Sequence, residues 1–206
     1  MHSDDLWIHW AQELQFLAQC GLAYGKDVYD IERYERVREI SAEMVAHMTE
    51  IPIARVRELF CNETGFQTPK LDTRAAIFQD GRILLVQEND GRWSLPGGWV
   101  DVNLSIRENV IKEVREEAGL EVRALRLIAL HDRNRHNKPV YIYGVCKAFV
   151  LCEAISGSFQ PNSETIGSAY FPQDALPCLA EEKVNAEQIG MCFRAQADPH
   201  WTVEFD

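Results

Sequence analysis

No stretch of the 206 residues approaches the roughly 18 uninterrupted apolar positions that a membrane-spanning helix requires. The opening Met1-His2-Ser3-Asp4-Asp5 is acidic, where a secretory signal would be basic. No two of the six cysteines form a CxxC pair and none lies within four residues of a histidine, which excludes the common zinc spacings. The apolar surroundings of Val145-Cys146 and Leu151-Cys152 suit free thiols acting as small hydrophobes. Internal repeats and low-complexity tracts are missing as well. Basic residues are scarce: 21 Lys+Arg stand against 32 Asp+Glu, a formal net charge of −11. That balance argues against wrapping duplex nucleic acid, which takes clustered cations against phosphate. An acidic protein can still take a polyphosphate when a divalent cation supplies the neutralisation. An apolar content of 46% with 26% charged residues is that of a folded chain rather than a disordered one. The expectation is a cytoplasmic globular protein: one medium domain, or a domain with a small appendage.

Residues 5 to about 62 read as helix. Leu6, Trp10, Leu14 and Leu17 recur every three or four positions, and Gly21 to Gly25 interrupts the stripe. Asp30 reads as the next N-cap, with Glu32 in the first turn, where a carboxylate suits the helix dipole. Ile31, Tyr34, Val37, Ser41, Met44, Val45 and Met48 form the following stripe. Pro52 suits the first turn of a third, short helix carrying Ile53, Val56, Leu59 and Phe60 on one face. Three helices in about 60 residues are near the lower limit for independent stability. Their apolar side chains are therefore expected to bury against something else, with Trp7 and Trp10 in a dimer or interdomain core.

Residues 62–70 read as a linker, after which the pattern turns to strands. Residues 74–78 and 82–86 flank the turn signal Asp80-Gly81. Residues 125–130, 141–151 and 168–171 also look extended; helices are expected at 105–118 and 182–193. Strands mixed with two helices point to an α/β core.

Within residues 105–118, Glu113, Glu116 and Glu117 share an arc of about 100° on one helix face. Ile111, Val114 and Ala118 lie on another side, suited to packing on a sheet, and Gly119 suits a C-terminal cap. Three carboxylates at this spacing repel one another. The plain reading is a solvated acidic face; the chemical one is a site for a hard cation, which reverses that cost. Gly97-Gly98, just upstream, permits strained backbone and close approach of main-chain groups to a ligand.

Gly98 to Leu120 resembles the Nudix box: Gly, five of any kind, Glu, seven of any kind, then Arg-Glu-apolar-any-Glu-Glu-any-Gly-apolar. Gly98, Glu113, Val114, Glu116, Glu117, Gly119 and Leu120 match it. Leu104 stands where the first Glu belongs and Lys112 where the Arg belongs. In the family those positions support the metal-binding loop and helix, so their joint change is consistent with a lost ion pair. The helical N-terminal piece, residues 68–72, residues 93–99 and residues 131–136 are similar to one subgroup, with an N-terminal helical dimerisation domain and ADP-ribose or CDP-choline pyrophosphatase activity.

The resemblance implies a Nudix α/β/α sandwich with a mixed sheet over residues 67–206, preceded by a small all-α dimerisation domain over residues 1–66. It implies Mg²⁺ or Mn²⁺ held by Glu113, Glu117 and Glu116 with the Gly97 carbonyl, and cleavage of a nucleoside diphosphate linked to another group. A metal-activated water would attack phosphorus. Glu116 could alternatively serve as the base, as could Glu164 in a downstream loop, with Glu153 its rival. Arg74, Trp99, Arg133, Arg135 and His136 are candidates for binding substrate. Tyr141 and Tyr143 would alternate on one strand face, where sheet packing is the plainer reading. Two other activities fit the same residues less directly: a regulator that binds a nucleotide ligand with little turnover, and an exonuclease acting on RNA 3′ ends.

Overall fold

The structure, a computed structural model, describes residues 3–206; Met1 and His2, from the acidic N-terminal stretch, lie outside the described residues. The chain separates into two units, one comprising the residues up to Pro69 with Val140–Gly144, the other Lys70–Pro139 with Val145–Asp206.

The first unit holds three helices, α1 (Ser3–Tyr24), α2 (Val28–Thr49) and α3 (Ile53–Phe60). Gly21 does not break α1. A Cβ there would lie 2.4 Å from the Tyr34 ring, so this glycine lets α2 approach closely. The N-cap of α2 is Asp27, whose carboxylate accepts from the amides of Tyr29 and Asp30; Asp30 is instead the first-turn acid. Pro52 occupies the N-cap position of α3, one residue earlier than its expected place in the first turn. Ala11, Ala42, Val45, Val56 and Phe60 are the buried core, and Ser41 Oγ donates to the Ala11 carbonyl at 2.6 Å. Trp7 and Trp10 are outside that core: they pack edge to face at 5.1 Å and stay about half exposed.

Ile142 packs on the same helical core, and Gln12 Nε2 donates to the Tyr141 carbonyl at 2.8 Å. The strand expected from residue 141 therefore starts only at Val145. Tyr-Ile-Tyr has strand propensity, but its carbonyl and apolar side chain are taken by the helices. Tyr141 and Tyr143 pair with tilted rings 5.6 Å apart rather than on a strand face.

The second unit is built on a mixed sheet. Its elements are β1 (Lys70–Gln79), β2 (Arg82–Glu88), β3 (Trp93–Ser94), α4 (Ile106–Ala118), β4 (Leu120–Asp132), α5 (Arg133–His136), β5 (Val145–Gly157), β6 (Thr165–Phe171), α6 (Ala186–Ala197) and β7 (Glu204–Phe205). The strand order is β3-β2-β1-β5-β4-β7, with β6 on β2. β1 pairs parallel with β5, and β7 with β4; the remaining pairs are antiparallel. Asp80 and Gly81 both have positive φ, 49° and 71°, the two-residue hairpin turn that the dipeptide signals.

Side chains alternate across β1. Ala75 and Ile77, with Leu84 and Val86, face Val110, Val114 and Ala118 of α4. Ala76, with Ile83, Leu85 and Phe149, faces Ile189, Cys192 and Ala195 of α6. A helix on each face makes the α/β/α sandwich. α6 starts four residues later than the sequence suggests, because Asn185 and Gln188 form a capping box there. All six cysteines are free thiols.

Candidate active site

The site grows from the loop after β3, which runs beside β1 toward α4. Thr73 N donates to the Gly98 carbonyl at 2.9 Å, Ala75 N to Pro96 at 2.8 Å, and Val100 N to Leu71 at 3.0 Å. Gly97 has φ 145°, and a Cβ on it would fall 1.9 Å from the Thr73 carbonyl oxygen, so only glycine fits. A Cβ on Gly98 would lie 2.7 Å from Glu113 Oε2. These two residues let backbone pass directly against two carboxylates of α4. Gly97 joins the helix through its amide, which donates to Glu117 Oε2 at 2.8 Å.

α4 is sharply bounded. Ser105 and Glu108 form a capping box, and Gly119 closes it with φ 67°. Asn109, fully buried, ties three elements together: its Nδ2 donates to Thr73 Oγ1 at 2.9 Å and its Oδ1 accepts from Asp101 N at 3.2 Å. Glu113 and Glu117 are 8% and 9% exposed, while Glu116 faces solvent. Burial pushes the Glu113 carboxyl up, and the neighbouring Glu116 adds to this against the opposing Lys112. Burial likewise pushes Glu117 up to about 7, although Arg74 and the Gly97 amide pull the other way. Two buried, mutually repelling oxygen donors beside a glycine cradle suit a hard divalent cation. Among the described residues no three acidic, His or Cys side chains converge into a ready-made cage. The cation amid the cluster is Lys112, whose Nζ lies 3.2 Å from Asp101, 3.3 Å from Glu113 and 3.4 Å from Glu116.

On the other face of β1 lies a charge cluster that sequence reasoning missed, apart from Arg74. Asp72, Arg74 and Lys147 are 4%, 5% and 2% exposed. Arg74 grips Asp72 through Nε at 3.0 Å and Nη2 at 2.8 Å, and its Nη1 donates to the Leu95 carbonyl at 3.2 Å. The parallel register sets Lys147 of β5 beside Asp72, 3.4 Å away, where it also donates to the Lys183 carbonyl. Burial, with the Arg74 charge second, brings the Lys147 ammonium down to about 7. Arg74 thus holds the glycine loop from behind. Nearby, Glu88 accepts from Ser94 Oγ at 2.9 Å and pairs with Lys183 at 2.6 Å. A usable signal was present: Asp72-Thr73-Arg74 sets charges into a strand that is otherwise apolar.

The other candidates fall in different places. Glu164 is exposed, in a turn organised by Asn162. That turn docks on the end of α4: Asn162 Nδ2 donates to the Glu116 carbonyl and Thr165 Oγ1 to that of Glu117. Glu153 is paired with Arg123 on exposed parts of β5 and β4. Trp99 is about half exposed and bridges to Asp72 of β1. Arg133, expected as a loop cation reaching for phosphate, is turned inward at 1% exposure and donates to the carbonyls of Pro139 and Glu182. Arg135 is exposed near Asp132, 3.6 Å away. His136 stacks on His131 at 3.9 Å and sits 3.0 Å from Asp206.

Comparison with known proteins identifies the family. Residues 68–191 match the NUDIX domain family, and residues 5–60 match the family described as a UDP-X-like, N-terminal oligomerisation domain. A Bacillus subtilis protein named "Putative ADP-ribose pyrophosphatase YjhB" is 41% identical over 97% of each chain. The crystal structure of an ADP-ribose pyrophosphatase from Streptococcus suis is 55% identical, covering 68% of this chain and all of that one, at a TM-score of 0.64. That of a UDP-X diphosphatase is 30% identical over the whole of both chains, also at 0.64. The chain belongs to the Nudix family and is a Nudix-type phosphoanhydride hydrolase.

Proposed function

We propose that this Nudix hydrolase cleaves a nucleoside diphosphate linked to another group, of the ADP-ribose or CDP-choline type, in a reaction that depends on Mg²⁺ or Mn²⁺. The products are a nucleoside monophosphate and a phosphorylated sugar or alcohol. The observation that carries the reading is the pair of buried carboxylates, Glu113 and Glu117, set against the backbone of Gly97 and Gly98. Relatives named as ADP-ribose pyrophosphatases favour the ADP-ribose type.

Glu113, Glu117 and Glu116 would hold the cation. When bound, it activates a water for attack on phosphorus and neutralises the diphosphate. The proton of the attacking water would go to Glu164, in the turn docked on α4, or to Glu116 where that side chain is not itself a ligand. Arg74 anchors the loop that carries Gly97, and Trp99 offers a ring face to the base. The N-terminal helices mediate homodimerisation, and the enzyme works in the cytoplasm.

A product screen tests this, using ADP-ribose, CDP-choline, UDP-linked sugars and nucleoside triphosphates, each with Mg²⁺ and with Mn²⁺. Rapid formation of a nucleoside monophosphate from one diphosphate derivative is expected, reduced about a hundredfold or more by Glu113→Gln or Glu117→Gln. A regulator is the second reading, favoured by Leu104 and Lys112. Cation binding with silence across the whole panel would establish it instead. Shortening of a labelled RNA 3′ end, abolished by Glu117→Gln, would move the assignment to a nuclease.

A further inference from the structure

Leu104 and Lys112 occupy the two positions where the box has an acid and an arginine, and from sequence the ion pair looks lost. In the structure it is rebuilt from a different residue. The Lys112 ammonium lies 3.2 Å from Asp101, three positions before Leu104. Asp101 is held firmly, its amide on the Asn109 side chain and its carbonyl accepting from Leu104 N at 2.9 Å. The loop-to-helix tie has therefore moved along the loop, and the side chain at 104 is released from it.

The exchange of arginine for lysine has a second consequence. A guanidinium presents a planar fork that favours one carboxylate at a time, whereas an ammonium is a compact point charge with three donors. Lys112 uses that freedom, standing 3.2, 3.3 and 3.4 Å from Asp101, Glu113 and Glu116. Charge-assisted bonds between ammonium and carboxylate are usually about 2.7–2.9 Å long. Three longer contacts describe a cation shared by the cluster rather than committed to one partner.

We propose that Lys112 is a resident counter-ion of the carboxylate cluster, competing with the divalent cation for Glu113 and Glu116, and that Asp101 is the positioning residue that draws it aside. This rests on the metal-dependent reading above. With a cation held there, Lys112 would be left to Asp101, the nearest of its three partners, so that Glu113 and Glu116 are freed while the tie between loop and α4 is kept. Asp101 and Lys112 set how strongly the site takes a cation, without taking part in the chemical step.

The test is Mn²⁺ binding to the substrate-free protein, followed by the paramagnetic resonance signal of free Mn²⁺. Lys112→Met removes the competitor and should tighten binding about tenfold, the size expected for one charge near a doubly charged ion in a partly wetted site. Asp101→Asn leaves Lys112 to the helix carboxylates and should weaken binding by a similar factor. In the Lys112→Met background Asp101→Asn should change nothing, and Lys112→Arg should restore the dependence on Asp101. A merely structural role for Lys112 predicts the opposite sign, weaker binding by Lys112→Met, and that result would overturn the proposal. So would an Asp101→Asn effect that persists without Lys112. Thermal midpoints of the metal-free variants report whether each has folded. Failure of the parent reading looks different: Mn²⁺ binding that is missing in the wild type, or indifferent to Glu117→Gln.

Discussion

Replacing Glu117 by Gln should abolish turnover and, in the metal-free protein, raise stability. Glu117 is 9% exposed, and burial moves its carboxyl from 4.5 to about 7. Each pH unit of such displacement corresponds to about 1.4 kcal/mol, so the ionised group costs the fold about 3 kcal/mol at alkaline pH. The sign follows from proton counting. Between pH 4.5 and 7 the folded state holds the proton that the unfolded state has released, so stability falls as pH rises through that window. Above it the penalty is complete; below 4.5 both states are protonated and it vanishes. A glutamine keeps the shape and a carbonyl oxygen for the Gly97 amide, and it forfeits only the attraction of Arg74. The net gain should be about 1–3 kcal/mol at pH 8. For a chain of this size that is a rise in Tm of about 2–12 °C. Thermal denaturation of chelator-treated wild type and Glu117→Gln at pH 8 and pH 4.5 is the assay. A variant less stable than wild type at pH 8, or one offset equally at both pH values, would refute the reasoning. Added Mn²⁺ should reverse the order, raising the Tm of the wild type alone.

Gly97→Ala should cost about 2–4 kcal/mol, because its Cβ meets the Thr73 backbone at 1.9 Å and its φ is 145°; an unchanged urea midpoint would contradict the packing described. Asp72→Asn strands two buried cations and should cost about 3–5 kcal/mol, much of it recovered by adding Lys147→Met. Its deficit should shrink as pH rises toward 7, since without Asp72 folded Lys147 releases its proton below the wild type's value of about 7, and above that both proteins hold it neutral; equal deficits at pH 6 and pH 9 would count against this. For the helical unit, Trp7→Glu with Trp10→Glu should turn an oligomer into a monomer by light scattering while far-ultraviolet helicity persists. A mass that stays oligomeric would remove the exposed tryptophan pair from the interface.

What could be read from the sequence was what a few consecutive residues decide. The Asp80-Gly81 turn, the start and end of α4 between Ser105 and Gly119, and the carboxylate face of that helix depend on backbone preferences and a fixed period. Errors came where a distant partner outbid a local preference. Gly21 looked like a breaker until Tyr34 needed its space. Residues 141–143 looked like strand until the helices took Ile142 and the Tyr141 carbonyl. Each winner is a contact across many residues, to which a periodicity is blind.

The same distinction explains why the family motif conveys only half of the site. A motif records spacing along one helix and the turn before it, so it finds Gly98, Glu113, Glu116, Glu117 and Gly119. It does not find what makes two ionisable carboxyls tolerable at 8% and 9% exposure. For Glu117 that depends on Arg74, whose charge opposes the upward push of burial and whose Nη1 holds the loop at Leu95; for Glu113 burial is opposed first by Lys112, with Arg74 behind it. Arg74 in turn is tolerable inside only because Asp72 takes it bidentately, and Lys147 arrives at Asp72 through the parallel β1–β5 register, from a residue some 75 positions away. Charges on β1 and β5 therefore support the acids on α4 across the thickness of the sheet. Substitutions at Asp72 or Lys147, outside the motif altogether, should disturb the pH dependence of turnover as well as stability. A pH–rate profile identical to wild type in a folded Lys147→Met variant would show that the two faces of β1 are electrostatically independent.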